Sequence, residues 1–278
     1  MMPKNKAPTL DEILHLFLLP NQYQEISRLV YNSQVSSAEI ARFIATRPQL
    51  TERLLSLINS TLYKHQSTIY TIERGIAVVG SEEILYLILL LSVIDLFEQK
   101  LDSRLDLSDF WSDCVYCGLM ARFLAKRNGG LHSDSLFSIG FLRNMGSLVI
   151  SQLMHELALH IGAEQALKAL DFASVGAELL RLWQLPSAIY QPVEYQLMPE
   201  WGGMHHVDAK MIHIAALLCE VSADSKVSSE FLWRAIPLEY RAILNMDKET
   251  LFAVFKQVRN DRQEVFELLV QDSSFVAF

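Results

Sequence analysis

The chain is short of most of the residues that announce a chemistry. Its three cysteines, Cys114, Cys117 and Cys219, form no disulfide framework, which fits a reducing compartment. Eleven glycines and eight prolines are few for 278 residues, and with Leu, Ala, Ile and Glu abundant the composition leans to an all-helical fold. Basic residues are outnumbered, 24 against 32 acidic, and the formal charge of −8 argues against a broad nucleic-acid surface. No Gly-rich phosphate loop, Gly-x-Ser-x-Gly or catalytic-triad signature occurs. The N-terminus, MMPKNKAPTL, has lysines with no apolar run behind them, unlike a secretory leader. The longest apolar run, Ile84 to Ile94, holds eleven residues, where a membrane span needs about 18. These absences together predict a soluble cytoplasmic protein with no cofactor, no nucleic-acid partner and no membrane partner.

What is present is helical patterning in a globular composition, 51% hydrophobic and 20% charged. Ahead of it, residues up to Pro8 read as a loose arm. Helices are expected from Leu10 to Leu18, stopped by Pro20, and from Tyr23 to Tyr31. Ser36 with Glu39 forms a capping box ahead of a helix that must end before Pro48. Further helices follow over Gln49–Ser60 and Ile72–Val79, the second closed by Gly80. Ser81 is expected to cap the buried helix that carries the apolar run, with Glu82 and Glu83 complementing its dipole. Residues 101–108 are charged and aperiodic, which marks a boundary between two halves. A long helix reaches from Ser108 or Asp109 to Arg127, and Asn128, Gly129 and Gly130 break it. Helices over Met154–Ala169, Phe172–Trp183 and Ala209–Val221 come next, with Pro186 and a loop over 199–206 between the last two. The tail adds Phe231–Ile236, Tyr240–Leu244 and Lys248–Val270. The chain divides accordingly into residues 9–100, 107–222 and 223–278, the last packing on the body.

The stretch FSIGFLRNMGSLVI, Phe137 to Ile150, stands out. It is apolar at helical spacing but holds Gly140 and Gly146, each about 1 kcal/mol worse than Ala in a helix, which predicts close packing or a helix end. Between the glycines lies a polar pair, Arg143 and Asn144.

Several stretches together resemble the HDOD family, the HD-related output domain of bacterial signalling proteins. They are LTERLLSLINSTLY (50–63) with its Asn-Ser pair, TIERGIAVVGSEEI (71–84), Phe110-Trp111, the stretch just described, and FASVGAELLRLWQLP (172–186) with its Val-Gly, Trp and Leu-Pro landmarks. The resemblance covers residues 10 to 222. It implies an all-α, multi-helix fold: an N-terminal helical subdomain and a second one related to HD metal-dependent phosphohydrolases. Those enzymes hold metal through His residues and a His-Asp pair, which suit a divalent ion that activates water. Carried over position by position, none of those ligands is present. Asp113 stands where the first His would follow Phe-Trp, Arg143 and Asn144 at the His-Asp pair, Phe172 at the His ahead of Val-Gly, and Tyr195 and Gln196 at the His-His pair. A guanidinium stays protonated and repels a cation.

The resemblance therefore implies a non-catalytic signalling module acting through an unknown protein partner, with input from a separate molecule. The alternative it carries is an HD-type metal-dependent phosphohydrolase acting on nucleotides or phosphate esters. Arg143 and Asn144 are expected to hydrogen-bond Asp113 and fill the vacated site with a salt bridge. As another reading, Arg143 lines a residual pocket for an anionic small ligand. Cys114 and Cys117 are spaced C-x-x-C, yet zinc needs two more ligands, and both read as small core residues on one helix face. His205, His206 and His213, with Asp208, are the remaining metal candidates and read first as a loop without metal. His155 and His160 do not converge on a helix. Trp201 is the tryptophan expected to be available to a partner. Arg122, Lys126 and Arg127 sit where a helix C-terminus favours them.

Overall fold

Capping chemistry decides where the first helices begin. Thr9 and Ser36 each accept a hydrogen bond from the backbone N–H of the third helical residue, and Glu12 and Glu39 reach back to the cap N–H groups. The computed structural model describes residues 8–101, 106–127, 133–157, 170–222 and 227–270. The first half holds α1 (Leu10–Leu14), continued as a 3-10 turn over His15–Phe17, then α2 (Asn21–Val30), α3 (Ser37–Ala45), α4 (Pro48–Asn59), α5 (Ile72–Val79) and α6 (Ser81–Lys100). The second half holds α7 (Ser108–Arg127), α8 (Ser133–Leu142), α9 (Met145–Leu157), α10 (Phe172–Leu182), α11 (Ser187–Glu194) and α12 (His206–Glu220). The chain then adds α13 (Ser229–Ala235), α14 (Leu238–Arg241) and α15 (Lys248–Val270). No strand occurs among the described residues, so the fold is all-α.

The sequence landmarks each have a mechanical task. Asn59 clamps the loop that follows α4: its amide donates to the carbonyls of Leu55 and Ile69, and its oxygen accepts from the Ile69 N–H, all at 2.8 Å. Gly80, at φ +94°, ends α5 and starts α6, which meet at 111°. Ser81 is the first helical residue and makes no side-chain cap, so the cap expected there is supplied by backbone geometry at Gly80 instead. Helix α6 is buried on nearly every side, and among the described residues no single helix is long and apolar enough to cross a membrane. Trp111 is wholly buried, stacked on Phe141 at 5.8 Å, and donates its indole N–H to Glu98 at 2.9 Å across the two halves. Trp183 donates to the carbonyl of Phe17.

The helix expected to begin at Met154 begins earlier: α8 stops at Leu142, Arg143 and Asn144 form a turn between the two glycines, and α9 starts at Met145. The remainder of that expected helix, including His160, lies outside the described residues, as do the break at 128–130 and the expected arm through Ala7. Pro192 sits inside α11, a helix that the proline-rich spacing concealed.

Close backbone approach explains the glycines of this stretch. A β-carbon on Gly140 would lie 2.7 Å from the Cys117 carbonyl oxygen and 2.9 Å from the Gly118 Cα of α7. One on Gly146 would lie 2.0 Å from the Phe172 carbonyl oxygen and 2.5 Å from the Gly176 nitrogen of α10. Helix α15 then straps both halves. Arg53 on α4 donates to Asp95 on α6 at 3.1 Å and to the Leu269 carbonyl at 3.1 Å, while Arg262 donates to Ser112 on α7 at 2.6 Å. One contiguous apolar core runs through all of these helices.

Gly146→Ala is expected to cost about 3 kcal/mol, because rigid backbone on α10 must give way; urea unfolding measures it, and a loss under about 1 kcal/mol would contradict the contact. Acid should also destabilise the fold through its cap carboxylates. Hydrogen bonds from Thr250 to Asp247 and from Ser108 to Asp106 hold both carboxyls below their ordinary value of 3.8. Their contribution is present above that value and lost as pH falls through the depressed native values. A double Asp247→Asn, Asp106→Asn variant is expected to flatten the fall in melting temperature below pH 4.

Candidate functional site

The turn between α8 and α9 delivers Arg143 and Asn144 into a cleft of about 660 Å³. Its lining also includes Asp109 and Asp113 of α7, Phe172 of α10, Gln196 after α11, His213, Cys219 and Glu220 of α12, and Arg262 of α15. Of the six positions singled out, Asp113, Arg143, Asn144, Phe172 and Gln196 therefore converge on one site. Tyr195 does not line it.

Arg143 is held from two sides. Its Nε donates to Gln196 Oε1 at 3.0 Å, and the Gln196 amide donates back to the Arg143 carbonyl at 2.8 Å and to the Val193 carbonyl at 3.0 Å. Gln196 is 1% exposed, so the amide side of this reciprocal pair is removed from water, where such bonds fix geometry. Nη1 of Arg143 points to the Cys117 sulfur at 3.7 Å, and its guanidinium carbon lies 5.9 Å from the centre of the Phe172 ring. The expected salt bridge between Arg143 and Asp113 does not form. Asp113 is taken instead by Arg262, which donates to Oδ1 at 3.3 Å. That pairing could not be anticipated, since Arg262 lies 149 residues further along the chain.

The donor set does not fit a metal ion. The position that would supply the first member of a His-Asp pair holds a guanidinium already committed to Gln196, and the first carboxylate is committed to Arg262. Nδ1 of His213 lies 2.7 Å from the Gln196 carbonyl oxygen, an acceptor only, which places its proton there and leaves Nε2 facing outward from that bond. His206 is occupied similarly by the Gly203 carbonyl at 2.9 Å, and His205 lies 3.7 Å from Asp208. Among the described residues no group of three or more His, Cys, Asp or Glu is placed to hold a metal.

The cysteines are divided between core and cleft. Cys114 is buried, and burial pushes its thiol well above the ordinary value. Cys117 is also buried but is pulled below the ordinary value, first by the hydrogen bond from Cys219 and also by Arg143. Arg122 is no surface cation: it is buried, with its guanidinium 4.6 Å from the centre of the Tyr63 ring. Trp201 is 73% exposed beside Met198 at 60% and Met204 at 90%, an apolar patch between α11 and α12.

The fold is all-α, and the cleft lies within its second half, with Arg262 of α15 completing the lining. The HDOD domain family matches residues 16–199, more than half of the chain, and the chain belongs to that family. No curated protein matches it. Among solved structures it is similar to a "putative phosphohydrolase" from Shewanella amazonensis, with TM-score 0.70, 21% identity, and 94% of this chain and 97% of that one covered. It is also similar to an HDOD domain protein of unknown function from Geobacter sulfurreducens, with TM-score 0.67, 19% identity, and coverage of 94% and 99%. A "putative signal transduction protein" from Marinobacter aquaeolei gives TM-score 0.62 and 18% identity, with 94% of this chain and 62% of that one covered. At these identities the likeness is one of fold.

Replacing Gln196 by Leu is expected to cost about 2 to 3 kcal/mol in urea unfolding, since Arg143 Nε and two carbonyls lose their partners. Tyr195→Leu, next to it but off the cleft, should cost less than about 1 kcal/mol.

Proposed function

We propose that the protein is a non-catalytic regulatory module of bacterial signalling that acts in the cytoplasm by binding another protein. The observation that supports this reading is the fixed guanidinium of Arg143 at the heart of the cleft. A divalent ion activates water through neutral imidazoles and free carboxylates. Here the corresponding positions offer a cation, two amides, a phenyl ring and a carboxylate bound to Arg262. A metal placed among them would meet repulsion and no open ligand set. The fold keeps the scaffold of a hydrolase site while its side chains bond to one another.

The surface available to a partner is the segment that leads from α11 into α12. Leu197, Met198, Trp201, Met204 and Val207 are all exposed there, on and around two 3-10 turns, Pro199–Trp201 and Gly203–His205. Tryptophan is among the side chains that most often carry binding energy at such surfaces, and methionine adapts to varied partners.

Purified protein is expected to hold less than about 0.1 equivalent of Mn, Fe, Ni or Zn and to show no metal-stimulated hydrolysis of p-nitrophenyl phosphate or nucleotides. Stoichiometric metal together with hydrolysis would overturn the reading. Trp201→Ala should keep the wild-type melting temperature and weaken retention of the native partner in pull-downs by about tenfold or more; unchanged retention would move the interface elsewhere.

A further inference from the structure

We propose that Cys117 and Cys219 are a redox-active dithiol at the base of the cleft, converted to a disulfide by hydrogen peroxide or an alkyl hydroperoxide that enters from the Cys219 side. This goes beyond the regulatory reading and does not require it.

The two cysteines come from different helices that pack together, Cys117 from α7 and Cys219 from α12. Their thiols sit in a reciprocal arrangement. Cys219 Sγ lies 3.9 Å from the carbonyl oxygen of Asp113, one turn before Cys117, and Cys117 Sγ lies 4.0 Å from that of Ala215, one turn before Cys219. Each sulfur therefore rests against the helix turn that carries the other, and Cys219 donates its S–H to Cys117. Access is one-sided. Cys219 lines the cleft and is partly exposed, whereas Cys117 is fully buried behind it. Arg143 adds a permanent positive charge 3.7 Å from the Cys117 sulfur, the environment that stabilises a thiolate. The nearby negative charge of Asp113 is engaged by Arg262. Cys114, one turn back on α7, has no comparable donor and is an inert core thiol by contrast.

The chemistry balances. The pair gives up one proton to solvent and rests as the Cys117 thiolate beside Arg143, with the remaining proton on Cys219. As the Cys219 sulfur attacks the peroxide its proton passes to the Cys117 thiolate, an S–O bond forms, the O–O bond breaks, and the departing oxygen takes a proton from solvent to leave as water. Cys117 then attacks the Cys219 sulfenic sulfur, the S–S bond forms and a second water leaves. In sum, two thiols and one hydrogen peroxide give one disulfide and two waters, the sulfurs supplying two electrons. The product joins α7 to α12 beneath Arg143 and replaces the charged sulfur that faces its Nη1.

The test is non-reducing peptide mapping of the folded, full-length Cys114→Ala protein after exposure to millimolar hydrogen peroxide. A dithiothreitol-reversible link between the peptides carrying Cys117 and Cys219 is expected. In the Cys117→Ser variant, Cys219 should stop at the sulfenic acid trapped by dimedone and go on to sulfinic acid. In Cys219→Ser, Cys117 should resist alkylation and oxidation until the protein is unfolded. Arg143→Met should slow link formation at pH 7 about tenfold, because the pair holds its thiolate less well. The proposal fails if the Cys114→Ala protein oxidises at Cys219 to sulfinic acid while Cys117 stays a free thiol. It fails equally if both remain thiols under peroxide while the urea-unfolded chain oxidises. The first measurement needs no variant at either sulfur, so misfolding of one cannot rescue the idea.

Discussion

Two backbone contacts, one on each side of Arg143 and Asn144, determine the form of the cleft. Three residues before Arg143, Gly140 meets the backbone of α7; three residues after it, Gly146 meets that of α10. Neither contact leaves room for a β-carbon, and both are between rigid helices. The turn at 143–144 is thus pinned at both ends, whatever its side chains are. Backbone held in this way delivers any residue placed there to the same point in space. The scaffold of the site and the chemistry of the site are consequently separable. The side chains can be exchanged for ones that hold no ion without disturbing the helices that present them.

Exchange has a cost that the rest of the cleft meets internally. A guanidinium brought into a half-buried site must find acceptors, and an amide buried beside it must bond with all of its groups. Arg143 and Gln196 satisfy one another, side chain to side chain and side chain to backbone, and Gln196 passes its own carbonyl to His213. Arg262 does the same for Asp113. Such a set of mutual bonds favours one arrangement of the cleft. It leaves the sulfur of Cys117 as the acceptor facing Nη1 of Arg143. In that position a cysteine has a different character from the core residue that its spacing with Cys114 suggests.

Local signals in the sequence were readable because their physics is local. A capping box spans three residues, a helix break at Gly80 needs only a glycine between two apolar periods, and Ser108–Arg127 is bounded by a charged segment and a glycine pair. The break at Arg143 was hidden because apolar spacing runs straight through it; the turn is fixed by tertiary contacts at the glycines, and only their doubling hinted at it. The convergence of Asp113, Arg143, Asn144, Phe172 and Gln196 was accessible through family resemblance, which carries three-dimensional information that periodicity lacks. Pairing was not. Arg143 and Asp113 have opposite charges and share a cleft, but Arg262 from α15 is nearer in its orientation to Asp113, and nothing near either residue in the chain signals that. The partnership of Cys117 with Cys219 was unreadable for the same reason, since it arises where α7 and α12 cross.

The family match ends at residue 199, and this bears on where the individuality of the protein lies. Half of the cleft lining comes later in the chain: His213, Ala216, Leu217, Cys219, Glu220 and Ser222 on or just after α12, and Arg262 on α15. The matched region supplies the pinned turn and Gln196, which set position. The later helices supply the imidazole, the reachable thiol and the arginine that takes Asp113 out of use. Helix α15 also donates or accepts bonds with α4 and α7, so the wall it gives the cleft is tied to both halves of the fold. A change in how the halves sit would move Arg262 relative to Asp113, and a change at the cleft would be felt at α15 in turn. That mechanical link couples the cleft to the packing of the two halves.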